Sequence, residues 1–207
     1  MRDIAHRLEV SISSVSRWTR DIDLSDDQLA RLASSDRLTA GQRAGCASQR
    51  ESARTKRLQA QADGRKLARC GDPAYIAGCM LFWAEGSKDR NTVTLTNADA
   101  DMVALFVGFL RRFYAVPDEK FRLSLNVHLG NGLSIASIED WWLARLGLPR
   151  SALRAHTVNK YPVSSLRKRR TLPYGTARAQ VCCTATVQSI YGAIQEFAGI
   201  DRPEWAE

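Results

Sequence analysis

Every second residue between Phe121 and Leu129 is polar: Arg122, Ser124, Asn126 and His128 interleave with Phe, Leu, Leu, Val and Leu. Successive side chains of an extended strand point to opposite faces, so this alternation predicts one apolar face and one face of guanidinium, hydroxyl, amide and imidazole groups. The same periodicity groups Thr92, Thr94 and Thr96, then Thr176, Arg178 and Gln180, and also Arg154, His156 and Lys160, a run interrupted by Val158. Side chains of these types bond phosphate oxygens and base edges. None of the four segments contains Asp or Glu, and a polar face without carboxylates suits a polyanion, a plain solvated face being the alternative.

Other residues carry related chemistry. Ser13, Ser14, Arg17 and Arg20 fall at helical spacing, which places hydroxyls and guanidiniums on one side of a helix. Arg54, Lys56 and Arg57, and the run Arg167-Lys168-Arg169-Arg170, are candidate phosphate contacts. From Arg37 to Arg69 nine basic residues stand against Glu51 and Asp63, in a chain whose net charge is +8. The five cysteines (Cys46, Cys70, Cys79, Cys182, Cys183) form no CxxC pair and no Cys/His cluster at zinc spacing, so free thiols are expected.

The elements that must hold these groups follow from apolar period and caps. Ile4, Ala5, Leu8, Val10, Val15 and Trp18 are spaced as one shared apolar face of two short helices, Arg2 to Leu8 and Ser13 to Asp21, around Glu9-Val10-Ser11. Ser25-Asp26-Asp27-Gln28 reads as the capped start of a third. Residues 36–72 are rich in Ala, Gln, Ser and Arg and poor in large apolar side chains, which predicts a basic helical linker. Beyond Asp72-Pro73 the order is helix from Ala74 to Glu85, strand from Asn91 to Asn97, and a helix to Tyr114 with Asn97 as its cap. A strand from Phe121, a helix from Ser134 to Leu146, strands over Leu153 to Lys160 and Thr176 to Cys183, and a last helix capped by Thr184 complete it. This is an α+β chain in three parts: 1–35, 36–72 and 73–207. No run approaches the ~18 apolar residues of a membrane span, and Met1-Arg2-Asp3-Ile4 lacks a signal peptide's apolar region, so a cytoplasmic protein without a membrane partner is expected.

The stretch from Ile4 to Arg20 resembles the helix-turn-helix of resolvase-like and repressor-like DNA binders, with Glu9 at the turn position where that family usually has glycine. The resemblance implies a second helix in the major groove, with Ser13, Ser14, Arg17 and Arg20 turned to the DNA. Tyr75-Ile76-Ala77-Gly78, ending in Ala84-Glu85-Gly86-Ser87, resembles the motif helix of the LAGLIDADG homing endonucleases, and the element order over 73–198 is similar to theirs. That resemblance implies an α/β domain with an antiparallel sheet and a homodimer paired through the 74–86 helix.

Together these readings lead to a double-stranded DNA-binding protein, sequence-specific and regulatory, that needs no cofactor to bind. The alternative is a Mg2+-dependent site-specific endonuclease with Glu85 as catalytic and metal-binding acid and Lys88, Lys160 or Lys168 as basic helpers, as the resemblance implies. A third class, a protein-interaction module, would use Trp141, Trp142 or Trp205.

Overall fold

The computed structural model describes residues 2–19, 22–34, 40–128, 132–159 and 172–207. Arg20, Lys160, Arg167, Lys168, Arg169 and Arg170 lie outside the described residues. The chain divides into two compact units, Met1–Gln49 and Arg50–Glu207.

In the first unit α1 (Arg2–Arg7) and α2 (Ile12–Trp18) are joined by a tight turn. The Val10 N–H reaches the Ala5 carbonyl at 3.0 Å and the Glu9 N–H reaches His6 at 3.4 Å, the paired bonds of a left-handed helix ending. Glu9 accordingly takes φ +51°. Ser11 caps α2, its hydroxyl accepting from the Ser14 N–H at 3.1 Å. A third helix, α3 (Asp26–Ser34), starts with a reciprocal box: the Ser25 N–H donates to Gln28 Oε1 and the Gln28 N–H to Ser25 Oγ. The shared apolar face is only partly realised. Ala5 and Val15 are buried, whereas Ile4, Leu8 and Trp18 stay exposed, because two helices of six and seven residues touch over little more than one turn.

The helix α4 (Ala40–Arg69) carries a second half, from Arg50, that belongs to the second unit. The other helices are α5 (Pro73–Glu85), α6 (Ala100–Tyr114), α7 (Ile135–Leu146) and α8 (Thr184–Ala198). Four strands, β1 (Thr92–Asn97), β2 (Phe121–His128), β3 (Thr157–Asn159) and β4 (Thr176–Cys182), form one sheet in the order β1-β4-β2-β3. The central pairs are antiparallel, but β2 and β3 are parallel, which corrects the antiparallel expectation. The reason lies in the connection: α7 is a crossover helix that returns the chain to the start of the sheet before β3 begins.

One face of the sheet is core. Val93, Leu95, Phe121, Leu123, Leu125, Val127, Ala177, Ala179 and Val181 are buried there with Phe82, Phe106, Leu110, Trp142, Ile190 and Tyr191 of the helices. Glycine sets the closest approaches. A Cβ on Gly78 would meet the Phe109 ring at 2.1 Å, so α5 lies tight on α6. A Cβ on Gly192 would sit 2.0 Å from the Gln61 carbonyl oxygen, and one on Gly64 1.8 Å from that of Ser189, so α4 and α8 cross almost backbone to backbone. Beside that crossing, buried Gln61, Gln188 and Gln195 bond one another, with Gln61 Nε2 donating to Gln188 Oε1 at 2.8 Å and Gln195 Nε2 to Gln61 Oε1 at 3.3 Å.

Two caps differ from expectation. Asp99, not Asn97, caps α6 by accepting from the N–H groups of Asp101 and Met102; Asn97 Oδ1 instead accepts from the Asp99 N–H. Thr184 is the first residue inside α8, its hydroxyl donates to Asn91 Oδ1 at 3.3 Å, and Cys183 holds the cap position with no side-chain bond. No helix among the described residues is long and apolar enough to cross a membrane.

Candidate nucleic-acid interface

Opposite the core face, the ladders place polar side chains in register. Thr94, Gln180 and Arg122 lie in one row, and Thr96, Arg178 and Ser124 in the next. Thr176, Asn126 and Thr157 follow, and His128 pairs with Asn159 at the far end. No carboxylate occurs at any of these positions. Thr96, Arg178, Asn126 and Thr157 are exposed, so no other described element covers this part of the face. Strand directions rather than individual contacts bring the groups together, since directly opposed residues share a face.

Arg178 makes no hydrogen bond or ion pair among the described residues; the acid whose charge reaches it is Asp89, in the loop before β1. The Asn91 N–H and the Thr92 hydroxyl hold the Asp89 carboxyl below the usual carboxylate range, with Arg178 adding to the shift. Arg122 folds back on its strand, donating to the carbonyls of Glu119 and Phe121. Two buried side-chain atoms among the described residues lack any partner, Thr94 Oγ1 and His128 Nδ1, and both belong to this face.

The edge strand departs from the expected register. Thr157, not His156, shares the face of Asn126, while Val158 pairs with Val127 on the core side. Arg154 precedes the strand and donates to the Ser151 and Leu153 carbonyls. His156 is turned to the core side and bonded at both nitrogens. Sliding a strand by one residue exchanges its faces, and here the parity was carried by apolar Val158, not by the basic residues around it.

The remaining candidates are spread over other elements. Arg17 is exposed on α2 one turn beyond Ser13 and Ser14, whose hydroxyls contact that of Ser11 at 2.8 and 2.9 Å. Arg54 Nε donates to Glu207 Oε1 at 3.3 Å, and Arg57 Nε to the Ala206 carbonyl at 2.8 Å, so both help hold the last turn of the chain. Lys56 and Arg57 line a cavity of about 370 Å3 with Ala53, Asn91, Thr184 and Ala185. Glu85 is exposed at the end of α5, where Asn97 Nδ2 donates to its Oε2 at 3.4 Å. Lys88 is no free helper: its ammonium donates to the carbonyls of Phe82, Trp83 and Gly86 and closes the C-terminal end of α5. Desolvation lowers its pKa, against the opposing pull of Glu85. None of the three tryptophans is an exposed anchor. Trp142 is buried, Trp141 stacks on Tyr174 at 3.9 Å between centroids, and Trp205 packs on Tyr191 at 4.5 Å.

Compared with models of known families, with curated proteins and with solved structures, the chain finds no match in any of the three.

Proposed function

We propose that this chain binds double-stranded DNA through the open face of its sheet and the Ser13–Arg17 surface of α2, as a sequence-specific regulatory protein. The observation that carries the reading is the open face itself, with rows of Arg, Gln, Asn, Ser and Thr and no carboxylate among them. The major groove admits a two-stranded ribbon, and the central antiparallel pair of β2 and β4 carries Ser124, Asn126, Arg178 and Gln180 on this face. The residue types suit it as well. Arginine pairs bidentately with guanine, glutamine and asparagine with adenine, and the threonine methyl touches that of thymine. A net charge of +8 adds the sequence-independent attraction on which such proteins rely.

The second reading, a metal-dependent endonuclease, rests on Glu85, exposed beside Asn97. As a magnesium site this end of α5 falls short within one chain: Glu85 is a single acid, and the described residues hold no group of three candidate ligands.

Selection from a random duplex pool, followed by binding of the best sequence at fixed salt, tests both readings. Arg178→Ala and Arg17→Ala should each weaken the selected site about 5- to 150-fold, the ~1 to 3 kcal/mol of a base pair read by arginine, and relax one position of the preferred sequence. Unchanged affinity and preference in both variants would overturn the reading. Supercoiled plasmid carrying the site should stay intact in magnesium or manganese; cutting by the wild type that Glu85→Gln abolishes would decide for the nuclease.

A further inference from the structure

Among the described residues edge strand β3 pairs with β2 at Asn126, Val127 and His128, and Leu123 meets Leu153 in an isolated bridge. Between those two contacts the Leu125 N–H faces a gap in the ladder. A side chain fills it. His156 Nδ1 accepts from the Leu125 N–H at 3.2 Å, where a continuous strand would supply a carbonyl. On its other side, Nε2 lies 3.0 Å from Glu139 Oε1 of α7, and the two side chains are only 10% and 16% exposed. Glu139 Oε2 in turn accepts from Arg150 NH2 at 2.6 Å, and Arg150 NH1 pairs with Asp140.

This geometry fixes the ring's state. A backbone N–H can donate only to a bare nitrogen, so Nδ1 carries no proton and Nε2–H donates to Glu139. A second proton on the ring would set two donors against each other across the 3.2 Å contact, and no flip of a doubly protonated imidazole restores an acceptor. The protonated ring keeps Glu139 and loses Leu125. We propose that His156 is a proton-sensitive latch: neutral, it fastens β3 and the segment before it to β2; protonated, it serves α7 alone and frees that segment.

Among the described residues the charges around it are few. Glu139 of α7 touches the ring, with Asp140 behind it through Arg150 of the short helical turn Arg150–Ala152. From β2 the neighbours on the ring's side are Leu123, Leu125 and Val127, since Arg122 and His128 belong to the opposite face. Arg154, on the same segment, is turned to the carbonyls of Ser151 and Leu153. Glu139 and Arg150 therefore hold the ring on its Nε2 side, whatever the open face binds. The latch also bears on that face, because Thr157, the next residue, is part of it.

Amide hydrogen exchange of the intact chain, corrected for the intrinsic pH dependence, with the His156 ring nitrogens followed by NMR, tests this. From about pH 8 to about pH 5, Leu125 protection should fall at least tenfold in step with ring protonation, while amides of the β1–β4 ladder keep theirs. His156→Gln supplies an amide acceptor and donor that do not titrate, and should hold Leu125 protection level across the range. Glu139→Gln removes the charge that favours the protonated ring, and should move the transition to lower pH while the protein stays folded. Leu125 protection that is flat in the wild type, or that falls equally in His156→Gln, would overturn the latch.

Discussion

Glu9 holds a left-handed conformation, φ +51°, without a side-chain bond to recompense it. For a residue with a Cβ that conformation costs about 1 kcal/mol, and the turn between α1 and α2 tolerates it because both closing hydrogen bonds form only there. Glu9→Gly should stabilise the first unit by about 1 kcal/mol, read as slower exchange of the Val10 amide that bonds Ala5; faster exchange would mean the side chain contributes something the geometry does not show. This turn was legible in the sequence, since a non-glycine stood where a tight connection demands positive φ. His156 was not. Its residue type suggests a contact with phosphate, yet its position just outside β3 turns the ring to Glu139 and Leu125. The chemistry of a side chain is written in the sequence, but which face it joins depends on a one-residue choice of register.

At the scale of elements, apolar period and capping residues located the helices and strands of the second unit to within a few residues, and they failed where an interface is not made of large apolar groups. Residues 50–69 look like a solvated linker because Gly64 meets Ser189, and Gln61 meets Gly192, at backbone distance, while the Gln61 side chain bonds Gln188 and Gln195. Hydropathy gives no weight to a close crossing of glycines or to amides that satisfy one another. The crossing predicts opposite outcomes for one substitution. Gly192→Ala drives a Cβ to 2.0 Å from the Gln61 carbonyl and should cost at least about 2 kcal/mol by parting the helices and breaking the glutamine network. Gly108→Ala, in a helix position with nothing within 4 Å, should instead gain up to about 1 kcal/mol from helix propensity. Denaturant midpoints with unchanged slopes measure both, and similar effects at the two sites would show that α4 is not part of the folded unit. The mixed sheet follows from the same scale: the sequence shows α7 between two strands, and a crossover helix makes their pairing parallel.

At the scale of the whole molecule, α5 poses the open question, because it is apolar around its whole circumference while only one side is covered. Tyr75, Gly78, Cys79 and Phe82 are buried, whereas Ala77 and Ala84 are exposed and Met80 and Leu81 half-exposed along the opposite side. Leu105 of neighbouring α6 is exposed as well. A helix without a polar side normally has a second partner. The occupant we propose is a second copy of the chain: the small residues Ala77 and Ala84, seven apart and so two turns along one line, allow two such helices to cross closely, and a two-fold pair would present two open sheet faces to one duplex. Ala77→Glu combined with Ala84→Glu changes only exposed positions and should leave the monomer folded while abolishing self-association in sedimentation experiments at micromolar concentration. DNA binding by the same variant should then lose about half of its salt dependence, because each chain releases counterions only for the phosphates it touches itself. A wild-type chain that sediments as a monomer, or a double variant that remains dimeric, would remove the pairing and leave each sheet face to act alone.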